Sequence, residues 1–298
     1  MTQLIDIPSL NGKENPHKRV WEVTTLPCPK HARDWERILR CKPTKQELRH
    51  YALHTKELAD HDIPRWMVDL SGVVLLSGEP GVGKTTLANG FANEYAKILG
   101  KPTRLFTLQT QHLLSHLLGE SSKELAKAFE PIRFAAGQGP CVLQVEEIEQ
   151  ISFARDKVIT SSDPTDLVRF VDQLLSEIDS LQEFSDALVV GTSNFSEVLD
   201  QAFVSRADLV LTVPLPDLQT RLAILQARCK TLQPLGLLLD GDELTAIAKA
   251  AEGLSGRMLG KLFPQTYFHG VAYEDMSVDD VLQTLSKSHM KEPQNAGS

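Results

Sequence analysis

The sequence predicts an α/β fold in which a parallel sheet is covered by helices on both faces and followed by a small all-helical domain. Five short apolar segments alternate with helical patterns, the arrangement expected of strands buried on both sides. A glycine-rich loop joins the first of these strands to a helix. After Pro214 and Pro216 the strand patterns stop, and only helical patterns follow.

The five strand patterns are Val73–Ser77, Arg104–Leu108, Cys141–Val145, Ala187–Ser193 and Leu209–Val213. Lys84–Leu99 reads as the helix after the first. A second helix begins near Pro164, where Leu167, Phe170, Val171, Leu174, Leu175 and Ile178 form one apolar stripe. Asp163 before Pro164 supplies an N-cap acceptor and a preset first turn. Residues 1–34 are polar and proline-rich and read as an arm. Residues 35–69 read as a linker of short helices leading into a large domain that ends at 216. Helical patterns over Leu218–Leu232, Asp242–Ala251, Gly256–Tyr273 and Val278–Lys287 define a small domain over 217–288, with 289–298 as a tail.

Composition narrows the function classes. A chain of 298 residues with 42% hydrophobic content can bury a sizeable core. No apolar run approaches the length of a membrane span, and the N-terminus lacks a basic start before an apolar stretch. The expectation is a soluble, cytoplasmic protein with no membrane partner. Cys28, Cys41, Cys141 and Cys229 show no CxxC spacing, against a zinc site or disulfide framework. A net charge of −8 without a dense basic block argues against direct nucleic-acid binding.

The chemistry concentrates at strand ends. Gly78, Glu79, Pro80, Gly81, Val82, Gly83, Lys84 and Thr85 fit GxxxxGK[ST], with Thr86 next in line, between an apolar strand and a helix. In that context glycines let backbone N–H groups close around phosphates, Lys84 reaches the β- and γ-phosphates, and the Thr85 hydroxyl binds Mg²⁺. The cofactors implied are ATP and Mg²⁺. Glu146 and Glu147 end the third strand. The first can hold the metal's water shell and the second can act on the attacking water; ordinary surface acids are the alternative. Glu149 reads as part of a solvated helix. Asn194 closes the fourth strand, outside the carboxyl edge where such sheets bind ligands, where an amide can hold water against a γ-phosphate; a turn-forming Asn is the alternative. Arg206 offers a fixed cation for a transferring phosphoryl group, against a local pair with Asp208. Arg257 opens a helix, an electrostatically poor place for a cation unless it has a partner such as phosphate.

With these pieces in order, the chain resembles the AAA+ ATPases, and more closely the pachytene-checkpoint ATPases that remodel HORMA-domain proteins. The resemblance runs from about Trp35 to Leu262 and is carried by Ser115–Ser121, Glu147–Asp156, Asp163–Asp179, Gly191–Asp208 and Gly253–Leu262. It implies a P-loop AAA+ αβα domain with a helical lid and a homo-hexameric ring. Glu146 and Glu147 would be the Walker B acids, Asn194 sensor 1, Arg206 the finger reaching a neighbouring subunit, and Arg257 sensor 2. His116, Leu117, Leu118 and Gly119 would form the pore loop that grips a HORMA substrate. The sequence departs from the family pattern where an Asp gives way to Glu146, and where Leu117-Leu118 replaces an aromatic–aliphatic pair. The short N-terminal extension is similar to bacterial members, which accompany HORMA proteins and cyclic-oligonucleotide synthases in antiphage signalling. Three other readings stay open: an unfoldase for another protein, a nucleotide-gated scaffold that binds ATP but hydrolyses little, and a nucleotide-switched DNA-binding initiator or loader. Salt-dependent DNA binding separates the last.

Overall fold

The computed structural model describes residues 21–38, 42–109, 122–150, 165–194 and 201–289. They fall into two compact units, the first holding the described residues up to 78 and those from 84 to 213, the second holding 79–83 and those from 214 to 289.

The first unit is built on a six-stranded sheet. Its strands are β1 (Trp21–Leu26), β2 (Val73–Ser77), β3 (Thr103–Gln109), β4 (Cys141–Glu146), β5 (Ala187–Ser193) and β6 (Leu209–Thr212), in the spatial order β1-β3-β4-β5-β2-β6. β1 runs antiparallel to β3, and the other pairings are parallel. β2 and β5 are buried at every position, as apolar strands covered on both faces must be. Side chains on one face, among them Val73, Leu75, Phe106, Leu143 and Val189, share a core with helices α4 (Ser122–Gln138) and α5 (Thr165–Ser180). Helix α3 (Lys84–Leu99) packs against β2, β4 and β5, and helices α1 (Pro29–Arg37) and α2 (Lys42–Asp60) pack against α3. Gly90, inside α3, marks that contact: a Cβ there would come within 2.7 Å of the Trp35 Cα. Alanine would favour the helix by about 0.8–1 kcal/mol, but the backbone of α1 leaves it no room.

The arm expected at the N-terminus contains a strand. Trp21 is buried edge-on against Phe129, with ring centroids 5.2 Å apart, and its Nε1–H donates to the Ala128 carbonyl at 2.8 Å. The period-2 signal Trp21–Val23 was present but short, and the prolines around it read as irregular chain. α2 is likewise one helix of 19 residues in place of several short ones.

Residues leading into β2 are tied down by buried polar groups. Arg65 donates to the Tyr95 hydroxyl at 3.0 Å and to the Ala187 carbonyl. Burial pushes the Tyr95 phenol and the Cys141 thiol each up to about 12, so both stay protonated at neutral pH. The Asp208 carboxylate accepts from Ser71 N–H (2.7 Å), Ser71 Oγ (2.7 Å), Gly72 N–H (2.8 Å), Val73 N–H (3.3 Å) and Tyr51 OH (2.7 Å). One side chain thus fixes the start of β2, the strand that carries the glycine-rich loop at its far end.

After the one-turn helix α6 (Gln201–Val204) of the first unit, the second unit consists of α7 (Leu218–Leu232), α8 (Gly241–Ala250), α9 (Gly256–Phe268) and α10 (Val278–His289), with short 3-10 turns after α7 and before α10. Leu225, Ile247, Leu259, Phe263 and Val281 are among the side chains of its core. Asp217 and Ser255 cap α7 and α9, and Asp240 with Glu243 forms a capping box on α8. Among the described residues no helix is long and apolar enough to cross a membrane.

Candidate active site

Three neighbouring strands, β4, β5 and β2, end at one edge of the sheet, and their ends carry Glu146 and Glu147, Asn194, and the glycine-rich loop. Side-by-side register holds them there, with Ser77 opposite Ser193 and Val145 opposite Gly191.

Gly78, Gly81 and Gly83 have φ of 143°, 80° and 97°, values that L-residues with a Cβ rarely adopt. Their spacing turns the chain sharply from β2 into α3, leaving the first N–H groups of that helix at the loop. Lys84 is 6% exposed, and its Nζ donates to the Gly78 carbonyl at 2.8 Å. The ammonium is therefore folded over its own loop. Thr85 is exposed in the first turn and Thr86 is partly buried behind it. Glu79, Pro80, Gly81, Val82 and Gly83 cluster with the second unit. Within that unit the Gly81 carbonyl accepts from the Arg257 N–H at 3.1 Å, and a Cβ on Gly81 would come within 2.8 Å of Ser255 Oγ. Within this unit the backbone of Arg257 is thereby set beside Gly81.

At the end of β4, Glu146 accepts from Gln144 Nε2 at 2.9 Å. Burial, more than the charge of the neighbouring Glu147 or of Glu22, raises the Glu146 carboxyl above the usual range, against the lowering effect of Gln144. A carboxyl whose pKa rises on folding adds stability at low pH and loses it as pH climbs through the folded value. Ligand-free Glu146→Gln should therefore melt higher than wild type at pH 7. The gap should narrow as pH falls and close below 4.5, the ordinary value of the group. Thermal melts at several pH values check this; a gap that persists at pH 4 contradicts it.

Glu147 is exposed and has φ of 54°, a left-handed conformation costly for a residue with a long side chain. Its N–H donates to Thr192 Oγ1 at 3.3 Å, the next N–H, of Ile148, donates to the Thr192 carbonyl at 3.0 Å, and Gln150 N–H returns to the Glu147 carbonyl at 2.9 Å. Gln150 Nε2 also donates to the Glu147 carboxylate. The strained turn is thus fixed from β5, and it holds a solvent-facing carboxylate at the strand end.

Glu149 overturns the expectation of a solvated acid. It is 3% exposed, because Ile148 packs under Gly191 and the turn then points the next acid inward. Asn194 Nδ2 donates to Glu149 Oε1 at 2.6 Å. Arg206 likewise has a partner that spacing did not reveal: its Nε and Nη2 donate to the two Asp179 oxygens at 2.8 and 3.0 Å. The local pair with Asp208 does not form, because Asp208 faces the start of β2. Asp179 and Asp208 lie 27 and 2 residues from Arg206, and only the fold decides between them. His116, Leu117, Leu118 and Gly119 lie outside the described residues, as do Asp163 and Pro164.

The donor set suits a nucleoside triphosphate with Mg²⁺. Glycine turns, helix N–H groups and a buried ammonium answer phosphate charge. Among the described residues no three His, Cys, Asp or Glu side chains converge on a preformed metal site. Mg²⁺ needs none, since it keeps several waters and binds through one or two carboxylates and the phosphates themselves.

Comparison with known proteins agrees. The model of the ATPase family associated with various cellular activities (AAA) matches residues 74–215. The chain is 32% identical over 235 residues to CD-NTase-associated protein 6 of Pseudomonas aeruginosa, covering 76% of this chain and 77% of the relative. It is 27% identical over 276 residues to the putative pachytene checkpoint protein 2 of Caenorhabditis elegans, covering 82% of this chain but 63% of that relative's length. A solved structure described as the E. coli MS115-1 HORMA:CdnC:Trip13 complex contains a chain of the same fold, with a TM-score of 0.71 at 20% identity over 93% of this chain and 96% of that one.

Proposed function

We infer that this chain, which belongs to the AAA family of ATPases, uses ATP hydrolysis at the β4-β5-β2 edge to remodel a HORMA-domain protein. The remodelling releases that protein from a cyclic-oligonucleotide synthase and so controls antiphage signalling. The observation that supports the hydrolytic half is the order of the sheet: Glu147 and Asn194 follow the adjacent strands β4 and β5, and β2 beside them leads through the glycine-rich loop to Lys84. The remodelling half is supported by likeness to a protein named for association with a CD-NTase and by the shared fold with a chain of the HORMA complex.

In this reading backbone N–H groups of Gly81–Thr86 and the Lys84 ammonium hold the phosphates, while Thr85 and, through water, Glu146 hold Mg²⁺. The bound metal supplies positive charge against the negative charge that develops as the terminal phosphoryl group is transferred. Glu147 orients the attacking water and accepts its proton. Asn194 fixes that water from the neighbouring strand. Arg206, steadied by Asp179, is offered to the nucleotide of an adjacent subunit in a homo-hexamer, and Arg257 contacts nucleotide in its own subunit. His116–Gly119 grip a flexible end of the substrate. Glu146 differs from Asp in reach alone, and the charge that holds the water shell is kept.

The experiment is direct. A preformed HORMA–synthase complex mixed with this protein and ATP should come apart on gel filtration, and it should stay together with a non-hydrolysable analogue. A complex left intact by ATP while phosphate is released would remove HORMA remodelling and leave an ATPase for another protein.

A further inference from the structure

Glu149 combines three properties that an incidental acid would not share. It is 3% exposed, it accepts from Asn194 at 2.6 Å, and its second oxygen, Oε2, is buried with no hydrogen-bond partner among the described residues. A buried carboxylate with an unsatisfied oxygen lowers stability. The carboxylate also settles which way Asn194 faces. It is the amide nitrogen of Asn194 that lies against Glu149 Oε1, so the amide oxygen is turned away from it. The turn makes the pairing possible, since the Ile148 N–H to Thr192 bond at 3.0 Å sets β4 and β5 in register and sends Glu147 outward and Glu149 inward.

We propose that Glu149 is a positioning residue for hydrolysis: by holding the donor end of Asn194, it makes that side chain present its acceptor oxygen to a hydrogen of the water that Glu147 aligns. The proposal rests on the hydrolytic reading of this edge and adds what orients Asn194 within it. A water held by two acceptors, Glu147 and Asn194 Oδ1, has both hydrogens directed and a lone pair left for attack. Without Glu149 the carboxamide can rotate and offer its NH₂ group, which cannot accept from that water.

The test compares Glu149→Met, Asn194→Ala and the double variant with wild type, and sets Glu149→Gln beside them. Methionine is apolar and of similar volume, so it removes the acceptor that holds Asn194. Glu149→Met should bind nucleotide with unchanged affinity, and its kcat should fall by on the order of 10- to 100-fold with KM unchanged. The double variant should be no slower than Asn194→Ala, since both act through one water. Glu149→Gln keeps an oxygen that can accept from Asn194 and should recover part of the loss; Glu149→Leu keeps the test open if the methionine variant folds poorly. Wild-type kcat in Glu149→Met, or losses that multiply in the double variant, overturns the positioning role. So does a lowered melting temperature with kcat intact. If wild type itself releases no phosphate, the hydrolytic reading fails and takes this proposal with it; if wild type hydrolyses and the Glu149 variants match it, only the proposal is lost.

Discussion

Glu147→Gln should bind ATP as tightly as wild type and turn it over about 10² to 10⁴ times more slowly, the range a positioned general base contributes. The side chain is exposed, and its backbone sits at φ 54° whichever of the two residues occupies it. Stability should therefore change by less than about 0.5 kcal/mol. Glutamine keeps the shape and the hydrogen bond to Gln150 but cannot take a proton. Any loss of rate at full nucleotide occupancy thus reports on the water and not on folding or binding. Single-turnover phosphate release with ATP in excess of its Kd measures it. Equal rates would make Glu147 an ordinary surface acid whose strained turn has some other cause.

The second large effect is on stability. Asp208→Ala should destabilise the protein by on the order of 4 kcal/mol, near the upper end for single substitutions. The carboxylate receives three backbone N–H groups and two hydroxyls, from Ser71, Gly72, Val73 and Tyr51. Alanine strands all of them in a partly buried place, where unmade hydrogen bonds cost more than made ones gain. The Tyr51 phenol stays a donor throughout the working pH range, because burial, with the Asp208 charge added to it, raises its pKa far above the ordinary value. Asp208→Asn keeps an acceptor and should recover part of the loss. The shift in urea midpoint measures both, and a change under about 1 kcal/mol for alanine would mean that water replaces the carboxylate readily.

The contrast between these two residues shows what a sequence can reveal here. Glu147 was legible because its place follows from local facts: an apolar strand pattern, a pair of acids at its end, and a glycine loop elsewhere that needs such acids nearby. The parallel sheet was legible for the same reason, since Val73–Ser77 and Ala187–Ser193 carry no polar alternation and must be covered on both faces. Asp208, Asp179 and Glu149 were not, because their partners are 137, 27 and 45 residues away in the chain. A hydrogen bond across a fold leaves no periodicity to read. Glu149 shows the limit most sharply. Three acids lie within four positions, at 146, 147 and 149, and the last reads as part of a solvated helix, yet the left-handed residue at 147 reverses the facing and buries it. β1 was missed for a different reason: six residues of half-buried edge strand give a weak pattern, and the flanking prolines outweighed Trp21 and Val23.

The measurement that bears most directly on the central claim is phosphate release by Lys84→Ala. Lys84 is the one ammonium of the glycine-rich loop, held 2.8 Å from the Gly78 carbonyl at the mouth of α3. Its loss should leave the fold intact and bring ATP turnover down to background, by about 10³-fold or more. A Lys84→Ala protein that releases phosphate at the wild-type rate would mean that triphosphate is broken somewhere other than this strand edge.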